Sequence, residues 1–275
     1  MNRGMLALGA VVLATGACSV AQIEEFAGRE DVRAIARVGR QAVPIGVEKE
    51  REIGFGIAAT VAGRYGLVDD PELARYVNLV GQAVAQQSSR YHEVPFRFGV
   101  LDTDDVNAFA APGGYVFVTR GALAVMESEA ELAAVLAHEV AHVDEKHVLE
   151  EIRRSAVMEQ ARDESDLEGR VLDRISEAGS TLLFTGLSRE DEMESDSLAV
   201  LYAGGTGYAR EGMLDFLRHL AAAEDAGSSG MREWVATHPS TGERMEALGA
   251  QLDRAGGEIT GADGAERFRR HVRGG

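Results

Sequence analysis

His138 and His142 stand four residues apart, with Glu139 beside the first, in a stretch whose apolar residues recur with helical period. No other feature constrains the chain as much. On a helix, residues four apart lie about 40° apart around the axis and one turn up. Two imidazoles placed so can both reach a zinc ion at about 2.0–2.1 Å. Glu139 is rotated about 100° from His138, so it points beside the ion and can touch a water there. A carboxylate in that place serves as general base and then passes the proton on. Leu132, Val135, Leu136, Val140 and Val143 give the helix an apolar side. Ser128 starts it, with Glu131 three residues on as a capping box.

A catalytic zinc takes three protein ligands and keeps one position open. A third histidine six residues beyond His142, after a glycine, would supply one arrangement. Those positions hold Val148 and Glu145, which excludes it. His147, five past His142, falls off the ligand face of a continuous helix and reads as structural. Glu192 and Asp196 lie four apart on a later helical pattern, followed inward by Ala199 and Val200. A carboxylate facing inward is expensive unless a cation meets it, and zinc with two histidines is such a partner. An exposed acidic helix start, favoured by the N-terminal dipole, explains the same residues.

Helical spacing also marks Val47 to Ala62, through Ile53, Ile57 and Val61. Asp70-Pro71 opens a helix with Leu73, Val77, Val80 and Val84 on one side, ending near Gln87. Phe96 to Leu101 alternates as a strand. Asn107 to Ala110 and Tyr115 to Thr119 flank a Pro112-Gly113-Gly114 turn, which suggests about three strands. Further helices read at Gly121 to Met126, Val171 to Phe184, Arg189 to Ala203, Arg210 to Ala223 and Ser240 to Ala255. The 150–168 segment is charged and poorly patterned, a helix or loop. After Gly256 the chain is glycine-rich and reads as a loose tail. Trp234, the single tryptophan, reads as core.

The start of the chain is basic and then apolar from Met5 to Ala17, too short to span a bilayer but suited to a signal peptide. Small residues precede Cys18, the only cysteine. This is similar to a bacterial lipobox, in which that cysteine receives lipid, although Thr15 stands where leucine is favoured. Ser19 after it points to the outer membrane. The alternative is a plain secretory signal. A formal net charge of −17 repels nucleic-acid phosphates, so no nucleic-acid partner is expected.

Four segments together resemble the gluzincin metallopeptidases related to HtpX and the CAAX prenyl protease. The resemblance is nearest to soluble periplasmic lipoprotein members such as LoiP and YcaL. The segments are Asn107 to Tyr115, His138 to His142, Glu192 to Asp196, and Thr237-His238-Pro239 with Arg244; the likeness covers about residues 44–250. Ser195 stands where the family usually has alanine.

The resemblance implies that Glu192 is the third zinc ligand beside His138 and His142, and that Asp196 fixes a ligand imidazole from behind. It implies catalytic roles for Glu139 and His238. His238 would either hydrogen-bond the oxygen of the tetrahedral intermediate or cap the zinc at rest; a plain helix-start histidine before Pro239 is the alternative. Arg244 would face the same oxygen or pair with an acidic neighbour. Asn107, Ala108, Phe109, Ala110, Gly113 and Gly114 would handle substrate along a free strand edge, or would form a structural hairpin.

The expected fold is α+β and mostly helical, a zincin-like metallopeptidase domain with a small β-sheet edging the cleft. The expected organisation is a signal peptide at 1–17, a tether at 18–43, the peptidase domain at 44–255 and a flexible tail at 256–275. The expected activity is zinc-dependent endopeptidase cleavage of unfolded or misassembled envelope proteins, with one zinc per chain. The setting is the periplasm, lipid-anchored to a Gram-negative outer membrane through Cys18. The rival is a chaperone or assembly factor for outer-membrane proteins that cuts little.

Overall fold

The computed structural model describes residues 45–160, 181, 183–225, 230, 234, 236–238, 241–255 and 261–274. Cys18, the signal segment and the tether lie outside the described residues, as do Pro239, Ser240 and most of the expected 171–184 helix.

Helix α1 (Val47–Tyr65) and helix α2 (Pro71–Ala85) lead into the strands β1 (Arg97–Leu101), β2 (Ala108–Ala111) and β3 (Tyr115–Thr119). Helices α3 (Arg120–Val125), α4 (Glu129–Asp144), α5 (His147–Gln160), α6 (Arg189–Gly205), α7 (Gly212–Asp225), α8 (Thr241–Ala255) and α9 (Ala265–Val272) follow. The fold is therefore mostly helical with one small sheet, as the periodicities require. The caps explain several boundaries. Asp70 accepts from the backbone of Glu72 and Leu73 with Pro71 at the first turn, and Ser128 accepts from Glu131.

The sheet order is β1-β3-β2, with β1 parallel and β2 antiparallel to β3. Among the described residues strand β2 is therefore an edge of the sheet. Its side chains alternate. Ala108 and Ala110 enter the main core with α2, α4, α6 and α7, whereas Phe109 and Ala111 enter a second cluster with α1 and α5.

Every residue of α4 from Glu129 to Asp144 is buried. It packs against α6 on one side and against α2, α7 and β2 on others. A helix enclosed on all sides holds its side chains in fixed rotamers, which is what a metal site needs. Against the other face of the sheet, Gly54 of α1 meets the β2–β3 turn backbone to backbone. A Cβ there would lie 1.6 Å from the Pro112 carbonyl oxygen.

The charged stretch, expected as a helix or loop, is helical through 160, with Val148, Leu149 and Ile152 buried against the second cluster. One expectation is corrected. The reading of 256–275 as a loose tail fails for 265–272. These residues form α9, with Phe268 fully buried and Arg267 paired to Glu129. Glycine content misled here, because a buried aromatic and a buried ion-pair partner outweigh a few flexible positions.

Candidate metal centre

Helix α4 brings the Nε2 atoms of His138 and His142 to 3.0 Å from each other. Glu192, in the first turn of α6, points into the same space, 3.6 Å from His138 Nε2 and 3.4 Å from His142 Nε2. Ser188 caps α6 in a reciprocal box with Asp191, which fixes that first turn. His238 completes the group. One donor atom from each of His138, His142, Glu192 and His238 lies within 4.8 Å of the others, and all four residues are buried.

The donor chemistry fits a divalent metal. Two nitrogens 3.0 Å apart with a carboxylate between them gain little from one another and much from a shared cation. Oε1 of Glu139 is buried without a hydrogen-bond partner among the described residues. Such an orphan is costly unless a cation or a polar ligand meets it.

Behind the ligands stands a second set of charges. His138 Nδ1 lies 3.0 Å from Asp196 Oδ1. Arg244 grips Asp196 with two bonds of 2.7 Å, and its Nη1 lies 3.0 Å from Glu192 Oε2. Arg244 is wholly buried. It pairs with its acidic neighbours, the second of the two readings of this residue.

These contacts set the ionisation. Burial pushes Asp196 up, but Arg244 and His138 overcome it and hold the carboxyl at about 2. Burial lifts Glu192 too, yet His238, His138, His142 and Arg244 together keep it well below the usual carboxylate range. Burial lowers His138, but Asp196 and Glu192 outweigh it and raise the ring to about 9. His142 is lowered, first by burial and then by the charge of His138. Burial raises Glu139 as well, but His238 and the two helix histidines bring it below its ordinary value. Glu139 Oε1 lies 3.6 Å from His238 Nε2.

Residues 71–252 match the sequence profile described as peptidase family M48. The chain belongs to peptidase family M48. Among its M48 relatives, the beta-barrel assembly-enhancing protease of Escherichia coli K12 is 26% identical over 215 residues, 73% of this chain and 43% of the relative. Metalloprotease YcaL of the same organism is 27% identical over 188 residues, 61% of this chain and 72% of the relative. Mitochondrial metalloendopeptidase OMA1 of Schizosaccharomyces pombe is 31% identical over 167 residues, 59% of this chain and 48% of the relative. The chain thus spans under half the length of the assembly-enhancing relatives.

The M48 site walls off its cleft with strand β2 and the 183–187 stretch. Ala108, Phe109 and Ala110 line it opposite Leu183 and Leu187. Gly186 permits the close approach: it takes φ 87°, and a Cβ there would lie 2.5 Å from the Thr237 carbonyl. The other expected substrate residues sit elsewhere. Gly113 and Gly114 are in the β2–β3 turn, where the Gly113 N–H donates to Glu50 at 3.2 Å. Asn107 is fully buried, with its side chain against Thr237.

Spacing alone did not show what His147 touches. Its Nδ1 is 2.9 Å from Nδ1 of His142, and its Nε2 is 3.3 Å from Glu194 Oε2. The helical wheel does not apply to it. Helix α4 ends at Asp144, Lys146 turns the backbone with φ 62°, and His147 begins a new helix. No sequence signal marked that break beyond Lys146 itself, which is not a residue that favours positive φ.

Proposed function

We propose that this chain is a zinc-dependent endopeptidase of the bacterial cell envelope that hydrolyses unfolded or misassembled envelope proteins. The observation that carries the reading is the meeting of His138, His142 and Glu192 around one point, with Glu139 on the same helix beside it. Two imidazoles and a carboxylate are the donor set that suits zinc in metallopeptidases. Zinc bound there supplies Lewis acidity for a carbonyl and for water. Glu139 takes the proton from the water and delivers it to the departing amine. The free edge of β2 receives an extended peptide by main-chain hydrogen bonds, which selects unfolded segments over folded ones.

The signal-like start and Cys18 support secretion and a lipid anchor at the outer membrane. No helix among the described residues is long and apolar enough to cross a membrane.

Metal analysis and casein cleavage on wild type, Glu139→Gln and Glu192→Ala test the reading. Glu139→Gln should keep its zinc and lose about 10²–10⁴-fold in rate, whereas Glu192→Ala should lose zinc. Zinc lost from Glu139→Gln and kept in Glu192→Ala would overturn it. Radiolabelled palmitate entering wild type but not Cys18→Ser would support the anchor, and no label in either would refute it.

The name of the assembly-enhancing relatives favours one second reading, an assembly factor for outer-membrane proteins. A Glu139→Gln chain that still complements a deletion strain would favour it over proteolysis.

A further inference from the structure

Glu50 of α1 and Arg90, shortly after α2, form a buried ion pair. They are 1% and 6% exposed. Arg90 Nη1 and Nη2 donate to Oε1 and Oε2 of Glu50 at 3.0 and 2.5 Å. A buried pair of this kind seldom stabilises a fold more than well-packed apolar residues of the same volume. Stability is therefore a weak reason for it, and what else the two groups hold says more.

Each partner also holds main chain. Glu50 Oε1 accepts from the Gly113 N–H, in the turn that joins β2 to β3, at 3.2 Å. Arg90 Nη1 donates to the Val143 carbonyl at 2.7 Å. Val143 follows His142 in the last turn of α4, where carbonyls have no intrahelical partner. A guanidinium there meets both that oxygen and the negative end of the helix dipole. Asp144, the next residue, accepts from the Ser89 N–H at 3.2 Å and from Ser89 Oγ at 2.9 Å. Ser89 and Arg90 thus grip the end of α4 twice, and through Glu50 the same grip reaches the strand turn.

Direct packing is incomplete at this level. Glu50, Ala110, Pro112, His142 and Val143 line one small void. A void forfeits the contacts that would fix one wall against the other, so the bonds through Glu50 and Arg90 set the spacing. Helix α1 is itself keyed to the turn. Gly113 takes φ 76°, and a Cβ on it would lie 2.7 Å from the Arg51 Cα.

We propose that Glu50 and Arg90 are positioning residues that tie the β2–β3 turn to the end of the helix carrying His138 and His142, and so fix how strand β2 stands against the metal ligands. Strand and ligand helix then move as one unit, and a change at either is felt at the other. The tie stands on geometry alone; its use in placing a peptide rests on the peptidase reading above.

Hydrogen exchange of full-length wild type, metal-free and zinc-loaded, tests the tie. Zinc fixes His142, next to the carbonyl that Arg90 holds, so the Gly113 amide should exchange about 10-fold more slowly with zinc bound. Exchange at Gly113 that ignores bound zinc would overturn the proposal without any variant having to fold. Glu50→Gln/Arg90→Met leaves an acceptor for Gly113, cuts the link to Val143 and strands no charge. In it the zinc effect at Gly113 should vanish, and KM for unfolded peptides should rise about 10-fold with kcat within about twofold. A folded double variant that keeps either the zinc effect or the wild-type KM would overturn the proposal, since a merely structural pair moves neither. A wild type that binds zinc and cleaves nothing would count against the peptidase reading and leave the exchange result to decide the tie. A wild type that takes up no zinc would count against the metal centre. Metal-free exchange at Gly113, expected to be about 10-fold faster in the double variant, would then decide the tie.

Discussion

His147 stands behind His142, with the two Nδ1 atoms 2.9 Å apart. One of the pair must donate and the other accept. His142 Nε2 is the atom turned to Glu192 and His138, so when it acts as ligand its Nδ1 carries the hydrogen. His147 then accepts at Nδ1 and donates from Nε2 to Glu194 at 3.3 Å. The two helix histidines are thus backed differently. His138 has the carboxylate of Asp196 directly behind it, and His142 has the His147 imidazole and the Ser195 hydroxyl, 3.1 Å from its Nδ1, with a carboxylate one step further out.

This arrangement predicts that His147→Phe weakens metal binding about 10- to 100-fold, the usual range for the outer partners of a ligating imidazole. His147→Asn, whose side-chain oxygen can still accept from His142, should recover part of the loss. Competition against a chelator of known affinity measures both. Equal affinity for wild type and His147→Phe would refute the arrangement.

The Arg244–Asp196 pair should matter more for folding than for chemistry. Both groups are almost completely buried, and Arg244 also stands 3.0 Å from Glu192. Removing one member of such a pair leaves a stranded charge and costs about 3–5 kcal/mol. Arg244→Met should therefore destabilise metal-free protein by that order in urea denaturation. Arg244→Lys should rescue little, because an ammonium cannot form the two-pronged contact. A lysine variant as stable as wild type would show that charge alone suffices.

Gly54→Ala separates two effects of opposite sign. Alanine in a helix interior normally gains about 1 kcal/mol over glycine. At this position its Cβ would lie 1.6 Å from the Pro112 carbonyl oxygen, and that contact is with backbone. Backbone shifts from such overpacking cost about 1–3 kcal/mol or more, so net destabilisation is expected. The displaced turn joins β2 to β3, so KM for peptide substrates should rise as well. A thermal melt and a steady-state assay check the two halves, and a stabilised variant would contradict the packing.

Much of this was legible in the sequence because it rests on local periodicity. The zinc-type helix, the Asp70-Pro71 helix start and the three strands each carry their own pattern. Glu192 was half legible. Its spacing to Asp196 marked a face, but only the meeting of α6 with α4 decides that the face is inward. Arg244 was placed in the chain but not in its role, since a buried arginine and a surface one read alike. The place of His147 behind His142 was not legible, because a helical wheel assumes the helix continues. Helix α9 was misread because the glycines around it carry a stronger local signal than Phe268 does alone.

Helix α9 yields the last prediction. Arg267 grips Glu129, the first residue of α4, with a two-pronged contact, and the hydroxyls of Tyr76 and Tyr208 donate to the same carboxylate at 2.8 and 2.7 Å. Burial pushes Glu129 up, but these three partners outweigh it and bring the group below its ordinary 4.5. A carboxyl depressed in the folded state contributes stability that is full above its unfolded value. That stability is lost as pH falls through the folded value. Docking of α9 should therefore be intact at pH 7 and weaken below about pH 4.5. Hydrogen exchange read on the amides of residues 265–272 in metal-free protein follows the docking directly. Arg267→Ala should raise exchange at both pH values, and Glu129→Gln should remove most of the difference between them. If Glu129→Gln keeps the full acid response, the switch lies in another group and the pairing is only a tether.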